Sequence, residues 1–166
     1  DAPGLNSAGP QMHRAPADVW LTVDRDPDVR VVIIRGAGRG FSSGGSFTMV
    51  DEMIADYAVR TRIMREARDI VMNVINCSKP IVSAMHGPAV GAGTQLRVAC
   101  YFRVAGPKAV FGIPASKLGI VLSSANIRRL ALLVGQSAAR DLLITSRQLD
   151  RASAEQLGLV TRRVED

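Results

Sequence analysis

Two glycine-rich joints, residues 36–46 and 86–93, constrain the fold of this chain more than any other feature. Each joint follows a short apolar segment, 31–34 for the first and 80–85 for the second, and such segments are typical of buried strands. Longer segments with apolar residues at three- and four-residue spacings lie between and after them, which predicts amphipathic helices. The alternation of the two periodicities predicts an α/β fold.

The periodicity continues along the chain without a linker or an internal repeat. A helix over 12–23 is expected to end at the acidic cluster 24–28, where Pro27 lacks the amide that a helix needs. The segment 49–77 predicts one long helix or two shorter ones. We expect further helices at 95–99, 126–134, 137–144 and 152–157, and further strands at 102–105, 109–111 and 159–164. Residues 1–166 are therefore predicted to form a single domain.

The composition argues against several classes of protein. Hydrophobic residues make up 47% of the chain, but the apolar runs are far shorter than the roughly 20 residues of a membrane-spanning helix, so we expect no membrane span. Cys77 and Cys100 stand far apart and the chain has only two histidines, so neither a disulfide framework nor a metal site is expected. No export signal is visible, and a cytoplasmic protein is the default expectation.

The net charge of +6 makes an anionic partner worth considering. Surfaces that bind nucleic acid cluster their basic residues and interleave them with aromatic ones, whereas here the basic residues are scattered away from the aromatics. We therefore expect no nucleic-acid partner. A solvated basic surface accounts for the charge, and a phosphate-bearing small molecule suits it equally well.

In both joints, glycines follow directly after the carboxyl end of a strand, so the backbone there is not covered by side chains. Amide N–H groups in such a joint can point at a ligand, and the second joint leads into a helix whose N-terminus favours negative charge. Neither joint is a dinucleotide-binding fingerprint, because the glycine spacing in 36–40 is wrong, and there is no Walker lysine. A pair of tight turns without chemistry is the alternative.

Several motifs, taken in order along the chain, resemble the crotonase family, that is, the enoyl-CoA hydratase/isomerase superfamily. The resemblance is specific, covers practically the whole chain, and rests on the segments 5–7, 31–36, 41–45, 79–84, 87–93, 111–114, 117–121 and 154–160. It implies an α/β fold of repeated ββα units, the crotonase-like superhelix. Nothing here resembles the family's first strands or the C-terminal helical region that helps to build trimers. We therefore expect a single core domain that is incomplete at both ends.

The resemblance also implies a site for an acyl-CoA thioester. By motif position, the backbone amides of Gly45 and Ala92 would grip the thioester carbonyl and stabilise an enolate-like oxyanion. Ser43, Gly44 and Gly91, which belong to the same two turns, would bind the substrate. Coenzyme A would enter as part of the substrate, so no separate cofactor is expected. We also expect a homo-oligomer, a trimer or a hexamer, because apolar surface that the family's C-terminal region normally covers would be exposed here and would favour association.

The sequence departs from the hydratase pattern at the two acid/base positions. The family's catalytic glutamates fall on Gln95 and Ala115. Gln95 can still orient a water but cannot accept a proton at neutral pH, and Ala115 can do neither. No acid stands in 120–126, where some family isomerases and dehalogenases place a carboxylate. Two main hypotheses follow: an acyl-CoA enzyme with altered chemistry, or a non-catalytic acyl-CoA-binding protein. An unrelated α/β domain or a protein-interaction role is a third.

Other polar candidates have structural interpretations beside the functional ones. Asp51 and Glu52 are either a catalytic base or solvated residues near a helix start. We expect His86 to be packed or capped. Ser123 and Ser124 are expected to cap a helix, because no base stands beside them to make either one a nucleophile.

Two further departures from the family and a set of methionines complete the candidates. Ser46 and Tyr101 stand where aspartate is common in the family, at positions that are more often structural than catalytic. Met49, Met53 and Met64 are expected to pack a core face, and a flexible lining for an acyl chain is the alternative.

Overall fold

Four parallel strands make up the larger of two sheets in the computed structural model, which describes residues 5–9 and 14–165. From one edge to the other, these strands are β1 (Val32–Arg35), β2 (Ile81–Met85), β4 (Phe102–Ala105) and β7 (Arg162–Arg163). Val82 of β2 lies opposite both Ile33 and Phe102. Parallel neighbours cannot be joined by tight hairpins, so the chain crosses over between them through helices.

A smaller sheet lies beyond the carboxyl end of β2. Its strands are β3 (Pro88–Val90), β5 (Val110–Gly112) and β6 (Leu149–Asp150). β3 and β5 are parallel, whereas β5 and β6 are antiparallel. An isolated bridge joins Ser42 to Ala89, and another joins Ala8 to Gly45. These bridges bring the first glycine-rich joint alongside β3.

Helices begin mostly at side chains suited to capping them. The helices of the described residues are α1 (Arg14–Arg25), α2 (Phe47–Ala55), α3 (Tyr57–Asn76), α4 (Ala92–Ala99), α5 (Ser124–Val134), α6 (Gln136–Thr145) and α7 (Arg151–Gln156), with a 3₁₀ turn at Ser116–Leu118. Ser46, Asp56, Ser123 and Asp150 each accept a hydrogen bond from a backbone N–H in the first turn of the helix that follows. Short polar side chains thus set where α2, α3, α5 and α7 begin.

The helical run predicted over 49–77 is two helices, α2 and α3, divided at Asp56. This residue has extended backbone, with φ −132° and ψ 119°, and its N–H donates to the carbonyl of Glu52 at the end of α2. Its carboxylate accepts from the N–H groups of Ala58 and Val59 at the start of α3. One aspartate therefore ends one helix and begins the next, although the apolar spacing runs on across it.

Two buried clusters hold the second glycine-rich joint from both sides. One packs Trp20 of α1 and Val74 of α3 against Ile81 at the start of β2. The other gathers Met85, at the end of the same strand, with Phe111 of β5 and residues of α4 to α7. Because β2 contributes to both clusters, the backbone that leaves it is anchored where the joint begins.

Several elements differ from the sequence predictions. The strand predicted as buried, β1, is half open: Ile33 is 66% exposed, because only the opposite face of the sheet packs on α1 and α3. The strand predicted over 159–164 is limited to β7, while Leu159 and Val160 are buried in the core instead. The helix predicted over 12–23 is α1, and its predicted first residues, 12 and 13, lie outside the described residues.

Three further properties bear on function. No helix in the described part of the chain is long and apolar enough to cross a membrane. Within residues 5–9 and 14–165, no group of three or more His, Cys, Asp or Glu side chains is placed to hold a metal ion. Cys77 and Cys100 are both buried free thiols.

Candidate functional site

An asparagine near the start of the chain organises the first glycine-rich joint. Asn6 has left-handed backbone, with φ 51°, a conformation that asparagine tolerates better than most residues. Its Nδ2 lies 2.7 Å, 2.9 Å and 3.1 Å from the carbonyl oxygens of Ala37, Gly40 and Phe41. The side chain thereby satisfies backbone acceptors that a glycine-rich loop cannot pair by itself.

The amide of Gly45 is left without a partner by the bridge to Ala8. Ala8 donates its N–H to the carbonyl of Gly44 and accepts the N–H of Ser46. In a parallel bridge of this kind, the residue between those two groups directs its own N–H to the opposite side. The N–H of Gly45 accordingly has no hydrogen-bond acceptor among the described residues, and Gly45 is exposed.

The amide of Ala92 is free for a different reason, since it opens helix α4. Gly91, just before it, has φ 58° and ψ −123°, which glycine adopts without strain. The Gly91 N–H donates to the carbonyl of Gly112, and its carbonyl accepts from Thr94 and Gln95. Ala92 lies in the first turn of α4, where N–H groups lack intrahelical acceptors. Its N–H has no partner among the described residues, and Ala92 is exposed.

Glycines bring the two free amides next to each other. A Cβ at Gly44 would lie 3.3 Å from the backbone nitrogen of Ala92, and a Cβ at Gly93 would lie 2.7 Å from the carbonyl oxygen of Ser42. A side chain at either position would separate the turns or cover the amide. The two turns together therefore present neighbouring N–H donors, at a helix N-terminus, to one side of the molecule.

Gln95 lies one turn further along α4, at a small cavity. The cavity has a volume of about 10 Å³. Its walls are apolar at Val98, Ile113, Leu122 and Leu130, and polar at Gln95, Asn126 and Arg129. The Oε1 of Gln95 accepts a hydrogen bond of 2.6 Å from Nδ2 of Asn126. The lining contains no carboxylate, so this cavity holds no general base for neutral pH.

Ala115 lies away from that cavity wall. It precedes the 3₁₀ turn and is half-buried against the main core cluster. Its carbonyl accepts from the N–H groups of Leu118 and Ile120. Of the two positions where the resemblance predicts glutamates, only Gln95 lines the cavity.

The remaining candidates fall mainly into structural roles. Asp51 and Glu52 are exposed on α2. The ring Nε2 of His86 lies 2.7 Å from the carbonyl oxygen of Gly38, which ties the second joint to the first. Ser123 caps α5 by accepting from the N–H of Asn126, and Ser124 is the first residue of that helix.

Methionine and cysteine side chains near the site are largely buried. Met49 is buried, and its methyl group lies so close to Gly45 that a Cβ there would approach it to 2.4 Å. Met53 is half-buried, whereas Met64 is 50% exposed, so only part of the predicted methionine set packs a core. Burial raises the pKa of the Cys100 thiol to about 11, which keeps it protonated and poorly nucleophilic at neutral pH.

Arg97, on the buried side of α4, is a feature that the sequence analysis missed. Its side chain is 1% exposed, and its guanidinium carbon lies 4.1 Å from the ring centre of Phe41 and 5.4 Å from that of Phe111. Nη1 contacts the sulfur of Met85, while Nε and Nη2 have no partner among the described residues. Burial lowers the pKa of Arg97 to about 9. The sequence contained one indication of this buried arginine: a basic residue at an otherwise apolar position of a buried helix.

The fold and the paired amide turns together define a protein of the crotonase class. The family model for enoyl-CoA hydratase/isomerase matches residues 1–166. The chain therefore belongs to the enoyl-CoA hydratase/isomerase family.

Individual relatives and solved structures agree with this assignment. The chain is 36% identical over 158 residues to "Probable enoyl-CoA hydratase echA6" of Mycobacterium leprae, covering 95% of this chain and 61% of the relative. It is 31% identical over 151 residues to the peroxisomal Delta(3,5)-Delta(2,4)-dienoyl-CoA isomerase of Arabidopsis thaliana, covering 85% of this chain and 54% of that one.

A crystal structure of an enoyl-CoA hydratase/isomerase from Mycobacterium paratuberculosis superimposes with a TM-score of 0.92 at 31% identity, over 98% of this chain and 65% of that one. The chain thus has the crotonase fold. It spans about three-fifths of the length of the relatives it matches.

Proposed function

We propose that this chain binds an acyl-CoA thioester and holds its carbonyl oxygen between the N–H groups of Gly45 and Ala92. The observation that supports this proposal is the pair of neighbouring, exposed amides without internal partners, beside the bare Cα of Gly44. Preorganised donors of this kind stabilise the negative charge of a thioester enolate, and losing one typically costs about 10² to 10³ in rate. The N-terminus of α4 adds a favourable potential at the same place.

The reaction we propose is of the hydratase/isomerase type, with enolate stabilisation but without the family's pair of glutamates. Ser43, Gly44 and Gly91 form the backbone walls against which the thioester rests, and Gln95 contributes hydrogen bonding rather than proton transfer. Coenzyme A enters as part of the substrate, and the proposal needs no separate cofactor. Family membership supports a homo-oligomer, a trimer or a hexamer. The two free thiols suit a reducing cytoplasm, which is the compartment we propose.

A non-catalytic acyl-CoA-binding protein is the second candidate. It is favoured by the polar lining of the cavity at Gln95, one helical turn beyond Ala92, which consists of Gln95, Asn126 and Arg129. None of these groups accepts a proton at neutral pH. Binding a thioester needs only the backbone donors, so binding would survive the loss of catalysis.

The binding part of the proposal is tested by deleting one donor. Proline is well tolerated in the first turn of a helix, so Ala92→Pro removes the N–H while retaining α4. We expect butyryl-CoA to bind the wild-type chain in isothermal titration calorimetry and to bind Ala92→Pro at least about tenfold more weakly, as befits a charge-assisted hydrogen bond. Ala92→Ser keeps the amide and serves as the control. Equal affinity of all three chains would overturn the assignment of Ala92.

The catalytic part is tested with a short trans-2-enoyl-CoA. General acid–base catalysis contributes about 10² to 10⁴ in rate, so hydration by this chain should be at least about a hundredfold slower than by a family member with both glutamates. The double variant Gln95→Glu with Ala115→Glu should raise the rate. Binding without turnover across enoyl- and dienoyl-CoA substrates would favour the second candidate. Hydration at a rate typical of the family would contradict our account of Gln95.

A further inference from the structure

The hydrogen bond between Asn126 and Gln95 determines what Gln95 can offer a ligand. Asn126 Nδ2 donates to Gln95 Oε1 at 2.6 Å, and the two residues are 31 positions apart in the chain. An amide side chain has one acceptor oxygen and one donor NH₂ group. Because Asn126 engages the oxygen, the Nε2 donor is the group of Gln95 that is left for a ligand in the cavity that both residues line. A glutamate at the same place would present only acceptors.

Arg129 strengthens this donor character. It follows Asn126 by one turn of α5 and lines the same cavity. Its Nη2 lies 3.5 Å from the carbonyl oxygen of Ala99, while its Nε is buried and has no partner among the described residues. The polar part of the cavity lining thus offers the donors of Gln95 and Arg129 beside the acceptor oxygen of Asn126, and the rest of the lining is apolar. A buried donor without an acceptor costs free energy. A ligand that supplies an acceptor oxygen removes this cost, and therefore binds more tightly than a purely hydrocarbon ligand.

The size and place of the cavity limit where that oxygen can sit. A volume of about 10 Å³ accommodates roughly one oxygen-sized group. Gln95 follows Ala92 by three residues, or about 4.5 Å along the helix axis. An oxygen in the cavity therefore belongs to the acyl chain two or three carbons from the thioester carbonyl, and not to the thioester itself.

We infer that this site selects acyl groups that carry an oxygen acceptor near the third carbon, a 3-oxo group or a carboxylate, over purely hydrocarbon acyl groups. Gln95 is the specificity-determining residue, and Asn126 is a positioning residue that keeps the Gln95 donor directed at the ligand. The inference rests on the proposed function, because it presumes that the thioester occupies the amides of Gly45 and Ala92.

The test compares three coenzyme A thioesters of similar length by calorimetry on the full chain. Acetoacetyl-CoA carries a neutral acceptor, malonyl-CoA carries an anionic one, and butyryl-CoA carries none. We expect at least one of the first two to bind about three- to tenfold tighter than butyryl-CoA, the effect of one satisfied hydrogen bond. A preference for malonyl-CoA alone would identify the acceptor as a carboxylate, and a preference for acetoacetyl-CoA alone would identify it as a ketone.

Variants of the amide pair separate this inference from general effects of charge. In Asn126→Asp the carboxylate accepts from Gln95 Nε2 and turns Gln95 Oε1 toward the ligand. The variant should therefore bind all three thioesters with about equal affinity. Ala125→Asp adds the same charge one residue earlier, at an exposed position, and should keep the preference. Gln95→Met removes the donor at similar volume and should also abolish the preference, which keeps the test decisive if Asn126→Asp fails to fold.

The binding measurements distinguish failure of this inference from failure of the proposed function. Equal binding of all three thioesters by the wild-type chain would overturn the inference and leave the proposed function intact. A preference that persists in both Asn126→Asp and Gln95→Met would likewise overturn it. If none of the thioesters binds, the proposed function fails, and the inference fails with it.

Discussion

Individual glycines, more than any reactive side chain, define this site. Gly44 and Gly91 both have positive φ, 88° and 58°, which side-chain-bearing residues adopt only with strain. Their bare Cα atoms also let the turns approach until the Ala92 nitrogen is within van der Waals distance of any Cβ at Gly44. The close approach of the two turns therefore depends on the lack of side chains at Gly44 and Gly91.

A methyl group at Gly44 tests this residue-scale account. Gly44→Ala should destabilise the fold by roughly 1 to 3 kcal/mol because of the positive φ, and should also weaken butyryl-CoA binding because the methyl covers the Ala92 amide. Gly119→Ala is the matched control: Gly119 has φ 63° but no atom within 4 Å of its would-be Cβ. Urea denaturation should show a loss of stability in both variants, and calorimetry a loss of binding in Gly44→Ala alone. Unimpaired binding by Gly44→Ala would contradict the proposed amide site.

At the scale of elements, helix α4 connects the site to the core. Its first residue, Ala92, supplies a free amide, and Gln95 faces the cavity. Arg97 points the other way, between the rings of Phe41 and Phe111. Among the described residues this buried guanidinium has no carboxylate partner, and two of its nitrogens have no hydrogen-bond partner, so its burial lowers the stability of the fold.

Replacing the buried arginine should therefore stabilise the protein. Methionine fills a similar volume without polar atoms, so we expect Arg97→Met to raise the free energy of unfolding by about 1 to 3 kcal/mol. Arg97→Ala should instead lower it, because the lost side chain leaves a cavity. Both values are accessible by urea denaturation at pH 7. A destabilised Arg97→Met would show that the guanidinium contributes more through its ring contacts than burial costs.

The difference in free energy of unfolding between the wild-type chain and Arg97→Met should depend on pH. Burial lowers the pKa of Arg97 in the folded chain to about 9, well below the usual value of an arginine. Above pH 9 the unfolded arginine binds more protons than the folded one, so this group makes the wild-type chain more stable as pH rises. The advantage of Arg97→Met should accordingly shrink between pH 8 and pH 10. An advantage that stays constant over this range would mean that Arg97 remains charged in the folded chain.

At the scale of the whole molecule, one face of the larger sheet is open. Ile33, Val82 and Phe102 lie side by side on β1, β2 and β4, opposite to the face that packs on α1 and α3. Ile33 is 66% and Phe102 is 52% exposed. Contiguous apolar surface of this kind favours association.

Self-association should therefore depend on this row. We expect the wild-type chain to sediment as a homo-oligomer at micromolar concentration, and the double variant Ile33→Lys with Phe102→Lys to shift toward monomer, because two charges replace apolar contacts. Circular dichroism checks that the variant is folded. A wild-type monomer, or assembly that the two lysines leave unchanged, would contradict this expectation.

Much of this protein was predictable from local sequence alone. Alternating periodicities determine the α/β class, because strands and helices bury side chains at different spacings. The glycine-rich joints predict exposed backbone donors after two strands, and the resemblance to the crotonase family assigns these donors, by motif position, to Gly45 and Ala92. The cap at Ser123 also depends only on neighbouring residues.

Contacts between distant residues were decided by the tertiary structure. Gln95 meets Asn126 across 31 positions, through a hydrogen bond that no local pattern in the sequence indicates. Arg97 is buried, and Ile33 is exposed, because of what other elements cover or leave open, which no spacing within α4 or β1 records. Periodicity reports which residues share a face, whereas only the packing of whole elements determines what that face meets.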